Sequence, residues 1–249
     1  MNKLTQESNT YIINSKKVFS AISSFNPVSL KESFDFAYDM SFGRVGEHRD
    51  HRTGGSHKRK NGEIFINTFQ GKLAEFSIYE IFKSHGVDIP KPDLDKYDLG
   101  VWDTCDFIIK EYKVAVKSTK NFGQLLLLET KDWNDRGEYL PNKNSDNAVY
   151  DYFILVRISP DGDRLMRLKK LLYSEESDRV ELEKIILKEK WTYDSPGYIK
   201  HIELVEIINN KLIIPRGAIL NGKTRMDAEN YYVQAGDMHD INELFRKKI

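Results

Sequence analysis

Apolar and polar residues alternate along Asp106-Phe-Ile-Ile-Lys-Glu-Tyr-Lys-Val-Ala-Val-Lys117, a pattern that predicts two short strands joined by a tight turn. Successive side chains of a strand point to opposite faces. Phe107, Ile109, Val114 and Val116 therefore share one face, and Asp106, Ile108, Lys110, Lys113, Ala115 and Lys117 share the other. A turn at Glu111-Tyr112 sets Asp106 opposite Lys117 and Ile108 opposite Ala115, with opposed Cβ atoms about 5 Å apart. Upstream, residues 70–86 carry a helical period closed by Gly86. Leu73, Phe76 and Glu80 follow one line of that helix, while Glu75 shares a face with Ile78, Tyr79 and Phe82. A carboxylate in so apolar a stripe requires a partner.

Elsewhere the pattern is coarser. Residues 1–42 read as helical, most clearly over 28–40, and residues 150–158 as an apolar strand. The apolar run 124–128 fits a buried strand or part of a helix. Pro90-Lys-Pro92-Asp93 interrupts regular structure, and residues 134–148 read as a loop. Helices are expected around 163–174 and 176–190, strands around 201–215, and a short helix near 240–246.

A chain of 249 residues with 40% hydrophobic side chains can bury a substantial core as one large domain, or as a core with a smaller lobe. No apolar run has the length of a membrane span, and no signal-like hydrophobic region opens the sequence. The single cysteine, Cys105, forms no internal disulfide and suits a reducing compartment, so a cytoplasmic location is expected. The net charge is zero, but cations concentrate locally. Arg44, Arg49, Arg52, Lys58, Arg59 and Lys60 stand between Gly43 and Gly62 with three histidines, against Glu47 and Asp50. With Gly54-Gly55 and no apolar period, this reads as a long basic loop of the kind that wraps a phosphate backbone. As a charge run alone it is equally a solvated excursion.

A carboxylate and an ammonium fixed side by side on a hairpin suit a metal-dependent site for phosphodiester cleavage. The hairpin resembles the core of the PD-(D/E)xK nuclease superfamily, in which an Asp opens one strand and an acid-x-Lys lies on the next. Asp106 matches the first acid and Lys117-Ser-Thr119 the lysine and its continuation. Ala115 stands where that family carries its second acid. Nucleases of the superfamily often place a Glu near the start of an upstream helix at the metal site, and Glu75 looks like that residue. The resemblance covers residues 69–158 in order.

It implies a restriction endonuclease-like α/β fold, with a mixed central β-sheet flanked by helices and further helical and β segments at both ends. The expected organisation is a helical segment with its basic loop (1–68, loop 43–62), a nuclease core (69–158), and C-terminal helices with a small β lobe (159–249), the lobe a candidate recognition element. It further implies a type II site-specific endonuclease cutting double-stranded DNA as a homodimer. Mg2+ would be held by Asp106 and Glu75, and Lys117 would position the attacking water. Ala115 fits a migrated acid (with Glu75 or Glu129 supplying the missing oxygen), a deliberately inactivated variant, or natural loss of activity. Asp93, in Pro92-Asp93, is the alternative first acid. DNA contacts are expected from Arg44, Arg49, Arg52, Lys58 and Arg59 of the loop, from Lys120 and Asn121 past the second strand, and from Arg216, Lys223 and Arg225. A non-catalytic DNA-binding protein on a degenerate core, and a junction- or mismatch-specific nuclease, are the competing expectations.

Gly217-Ala-Ile-Leu-Asn-Gly-Lys-Thr224 matches the phosphate-loop pattern letter for letter. A phosphate loop needs a helix opening at its Lys-Thr and further strands downstream. Only 25 residues follow, and Asn221-Gly222 is a hairpin signal, so no nucleotide cofactor is expected. His48, His51 and His57 lack the cysteines or second ligand pair of a zinc site. Asp93, Asp95 and Asp98 are out of register for a calcium loop.

Overall fold

The computed structural model describes residues 1–43, 59–95, 105–142 and 148–246. In chain order it holds β1 (Thr5–Glu7), β2 (Thr10–Ile12), β3 (Ser23–Ser24), α1 (Pro27–Ser41), α2 (Asn61–Ser84), β4 (Phe107–Ile109), β5 (Tyr112–Lys120), β6 (Leu125–Glu129) and β7 (Tyr152–Ser159). There follow α3 (Gly162–Leu168), α4 (Arg179–Lys188), β8 (Thr192–Lys200), α5 (His201–Asn209), β9 (Ile213–Ile214), β10 (Ile219–Leu220), β11 (Thr224–Arg225), β12 (Asn230–Gln234) and α6 (Asn242–Arg246). The fold is mixed α/β.

Its centre is a five-stranded sheet in the order β3-β8-β7-β5-β4. β5 and β7 run parallel, with Ala115 beside Phe153 and Lys117 beside Leu155, and the other neighbours are antiparallel. The two faces of this sheet serve different cores. Phe107, Ile109, Val114, Val116, Ile154 and Val156 pack beneath the helices, against Phe65, Phe69 and Phe76 of α2. Ala115, Phe153 and Leu155 face the opposite way, onto Leu125, Leu126 and Leu128 of β6 and Leu204 and Ile207 of α5. The period-2 pattern of the hairpin thus sorts its side chains into the two layers.

Several expectations need correction. The first 25 residues are not helical: they form β1, β2 and β3 joined by extended chain. Their hydrogen-bond partners lie far along the sequence, as in Asn14 N–H to Gln234 Oε1 (2.9 Å) and Ser20 N–H to Asp194 Oδ2 (2.9 Å). Such tertiary partners outweigh local helix propensity. Helix α2 begins at Asn61, inside the segment read as a loop up to Gly62, and Glu63 caps it by accepting from Lys60 N–H at 3.0 Å. Residues 201–215 hold helix α5 and only a two-residue strand, β9. Thr192–Lys200, assigned to no element, is a strand of the central sheet. The run 124–128 resolves as strand β6, paired with β12 in a separate sheet of order β6-β12-β9.

The hairpin register differs by two residues from the expectation. The turn is Lys110-Glu111, with Lys110 at φ 55°, and Ile109 pairs with Tyr112, Ile108 with Lys113 and Phe107 with Val114. Continued by one pair, this sets Asp106 opposite Ala115, not opposite Lys117. A shift of two keeps every side chain on its expected face, where a shift of one would have reversed them all.

The three-part division of the chain is crossed by strand pairing. Residues 192–200 complete the sheet that holds the hairpin, and β2 near the N-terminus pairs parallel with β10, giving a four-stranded sheet β1-β2-β10-β11. Among the described residues no helix is long and apolar enough to cross a membrane.

Candidate functional site

Strand alternation and the β4–β5 register bring Asp106, Ala115 and Lys117 to one cavity of about 150 Å³, walled by the rings of Trp133, Tyr139 and Tyr150. Asn142 and Cys105 complete the lining. Asp106 is held rigidly, since its Oδ2 accepts the backbone N–H of Val116 at 2.6 Å. Lys117 is exposed and Ala115 is 2% exposed. The ammonium therefore belongs to the mouth of the cavity and the methyl group to its depth. Asp106 and Lys117 are diagonal neighbours across the hairpin, with Cα atoms roughly 7–8 Å apart for such pairs.

The aromatic wall is a rigid cluster. Trp133 lies 5.1 Å from Tyr139, 5.3 Å from Phe153 and 6.2 Å from Tyr150 between ring centroids, with tilted or edge-on planes. The isolated bridge between Trp133 and Tyr139 and the bond from Tyr139 N–H to the Ala148 carbonyl (2.6 Å) fold the segment after β6 over the hairpin. Sequence reading missed these residues. Their only trace was a concentration of aromatics at 133–153 within a stretch otherwise rich in Asn, Asp and Gly.

Glu75 is not among the cavity's lining residues. It lies on α2, whose core packs against the opposite face of the sheet. It pairs with Lys72 at 2.7 Å, and Lys72 also donates to the Asp93 carbonyl at 2.8 Å and stands 4.8 Å from the Phe36 ring centre. Asp93 thus neighbours Lys72 and is not among the cavity's lining residues, and its Oδ1 accepts Asp95 N–H at 2.7 Å. Glu129 also lies outside the cavity lining. Burial lifts its carboxyl above the usual range, and Lys131 stands 3.5 Å from it. Among the described residues, no group of three or more His, Cys, Asp or Glu is placed to hold a metal ion.

The expected DNA contacts divide in the same way. Arg44, Arg49, Arg52 and Lys58, with the three loop histidines, lie outside the described residues, and Arg59 is half-buried. Lys120 is engaged by Asp163 at 2.8 Å and Asp161 at 3.2 Å. Asn121 and Phe122 line a separate groove of about 490 Å³ with Pro160 and Arg164. Arg216, Lys223 and Arg225 are exposed, the last two on or beside the β10–β11 hairpin. In that hairpin Asn221 (φ 49°) and Gly222 (φ 68°) make the turn and Thr224 begins a strand, so the phosphate-loop letters carry no phosphate-loop fold.

No known family, curated protein or solved structure matches this chain.

Proposed function

We propose that this chain is a Mg2+-dependent endonuclease acting on double-stranded DNA, with Asp106 and Lys117 at its centre on a PD-(D/E)xK-like hairpin. The observation that carries the reading is that Asp106, just before β4, and Lys117 of the neighbouring β5 line one cavity on one face of the sheet. Mg2+ is commonly held by one or two carboxylates with substrate phosphate oxygens and water completing the shell. Asp106 supplies one such carboxylate, and the rest of the shell would fall to water and phosphate oxygens. When bound, the ion supplies a more acidic water and a counter-charge for the phosphorus centre.

The chain's own residues do the positioning. The Val116 N–H fixes one oxygen of Asp106, so the carboxylate is oriented before substrate arrives. Lys117 presents an ammonium at the mouth, where it pairs with the scissile phosphate and stabilises charge that builds as the bond breaks. The family habit of a homodimer on a palindromic site extends the reading to a dimer cutting both strands.

A second reading, a non-catalytic DNA-binding protein, is favoured by one specific observation. Buried Ala115 faces Asp106 where a second acid would sit, and Glu75 and Glu129 do not line the cavity. One experiment separates the two: digestion of a complex genomic DNA with and without Mg2+ by the chain and by Lys117→Ala. The nuclease reading expects discrete fragments from the parent only, in Mg2+ only. Specific DNA binding without cleavage by the parent establishes the second reading instead, and cleavage retained by Lys117→Ala removes Lys117 from the site.

A further inference from the structure

A phosphate paired with the Lys117 ammonium needs only the mouth of the cavity. The remaining space is bounded by Trp133, Tyr139 and Tyr150, with the Asn142 amide in the lining and only a methyl group at Ala115. Its 150 Å³ is about five times the share of liquid volume of one water, ~30 Å³. It is well below the ~300 Å³ at which pockets for drug-sized ligands begin. That is room for one planar ring system next to a phosphate.

We propose that this cavity is a nucleotide pocket, taking one unstacked nucleotide of a DNA strand with its phosphate at Lys117 and its base among the aromatic rings. Each side chain has a part that this ligand explains. Lys117, exposed at the rim, meets the anionic end. Aromatic walls accept any base, since every base has a π-face. Asn142 lies in the same lining. Ala115 is then the residue that keeps the pocket open, and a longer side chain there would occupy the space of the base. The bland alternative for the rings is a core cluster, and they do pack on one another. A core cluster alone has no need of a cavity shared with an ammonium and a carboxylate.

The inference rests on the nuclease reading for its choice of ligand, but it is tested separately, by binding without metal. The probes are the four deoxynucleoside 5′-monophosphates, inorganic phosphate and a short single-stranded oligonucleotide, followed by calorimetry on the full chain. Expected are binding of at least one mononucleotide roughly tenfold or more tighter than phosphate, as base stacking contributes, and binding of the single strand at least as tight. Ala115→Leu should lose the preference for nucleotide over phosphate while its circular dichroism is unchanged. If that variant does not fold, Tyr139→Ala, which removes a half-buried ring, is the deciding variant and should weaken nucleotide but not phosphate.

Equal binding of phosphate and nucleotide, or a preference untouched in the folded variant, overturns the pocket. A mononucleotide that binds while the single strand does not overturns the assignment to a DNA strand. DNA cleavage without nucleotide binding sinks this inference alone. Nucleotide binding without cleavage sinks the nuclease reading and leaves the pocket.

Discussion

At the scale of single residues, one buried polar contact outside the candidate site ties distant parts of the chain together. Arg157 and Asp194 form a buried, two-pronged pair (2.8 and 2.5 Å) between neighbouring strands, with side chains 1% and 6% exposed. Arg157 also donates to the carbonyls of Lys17 and Val18, so the pair clamps the N-terminal segment onto the sheet. Removing one partner of a buried pair leaves an uncompensated charge, so Arg157→Met should cost about 3–5 kcal/mol. Chemical denaturation measures that loss, and limited proteolysis should show cuts before residue 25 that the parent resists. Glu80 gives a pH signature. Burial raises its carboxyl above the usual range, while bonds from Ser29, Tyr193 and Asn26 pull the other way. A raised carboxyl is stabilising when protonated, so its contribution is full below the ordinary carboxylate value and is lost as pH rises through the raised one. Glu80→Gln, which keeps the shape, should flatten that fall, and melting temperatures across mildly acidic to neutral pH would reveal it. Asp106 and Lys117 were legible in the sequence because strand alternation needs no tertiary information. Their register was not, because it depended on Lys110 adopting a left-handed φ that lysine seldom takes.

At the scale of elements, helix α5 explains why residues 201–215 read as strand. Its residues are rich in Ile and Val, and its stop signal is hidden. The helix closes with Lys211 N–H on the Ile208 carbonyl (3.0 Å) and Leu212 N–H on the Ile207 carbonyl (3.0 Å), with Lys211 at φ 50°. This is a Schellman closure in which lysine occupies the place usual for glycine. Lys211 is exposed, so Lys211→Gly should relieve backbone strain and stabilise the fold by about 0.5–1 kcal/mol. An unchanged or lower melting temperature would refute that account. Strand β8 escaped notice for a related reason. Pro196-Gly197 interrupts it where the register against β7 shifts between Leu155 and Arg157. Gly197 is required there, because a Cβ would stand 1.9 Å from the His239 carbonyl oxygen. Proline and glycine at such an irregularity are structural fittings of a strand, yet in a linear reading they look like its end.

At the scale of the molecule, zero net charge conceals an uneven distribution. Most described cations on the helical side are matched, as in Lys31 with Asp35, Lys91 with Glu32 and Arg179 with Asp35 and Asp39. On the sheet built from the two ends of the chain, Arg216, Lys223 and Arg225 are exposed and form no ion pair among the described residues. A β-ribbon of this width can enter a DNA major groove. If these cations meet phosphates, Lys223→Ala with Arg225→Ala should weaken DNA binding across all sequences. It should also lower the salt slope by about one unit per lost contact. Fluorescence anisotropy over a salt series tests this, and an unaltered slope would place the DNA elsewhere. This sheet was invisible to sequence reading because pairing of β2 with β10 joins residues more than 200 positions apart.

That long-range closure also orders events during synthesis. A ribosome delivers Lys17 and Ser20 well before Asp194, Gln234 and Asp237, the residues that fix the N-terminal segment. Chain growth of about 5–20 residues per second makes that interval roughly ten seconds or more. Until β8 emerges, the hairpin's sheet lacks the strand that flanks β7. If the proposed nuclease reading holds, activity on DNA must wait until β8 has been made and has joined β7, so the hairpin is silent through the synthesis of everything before Lys200.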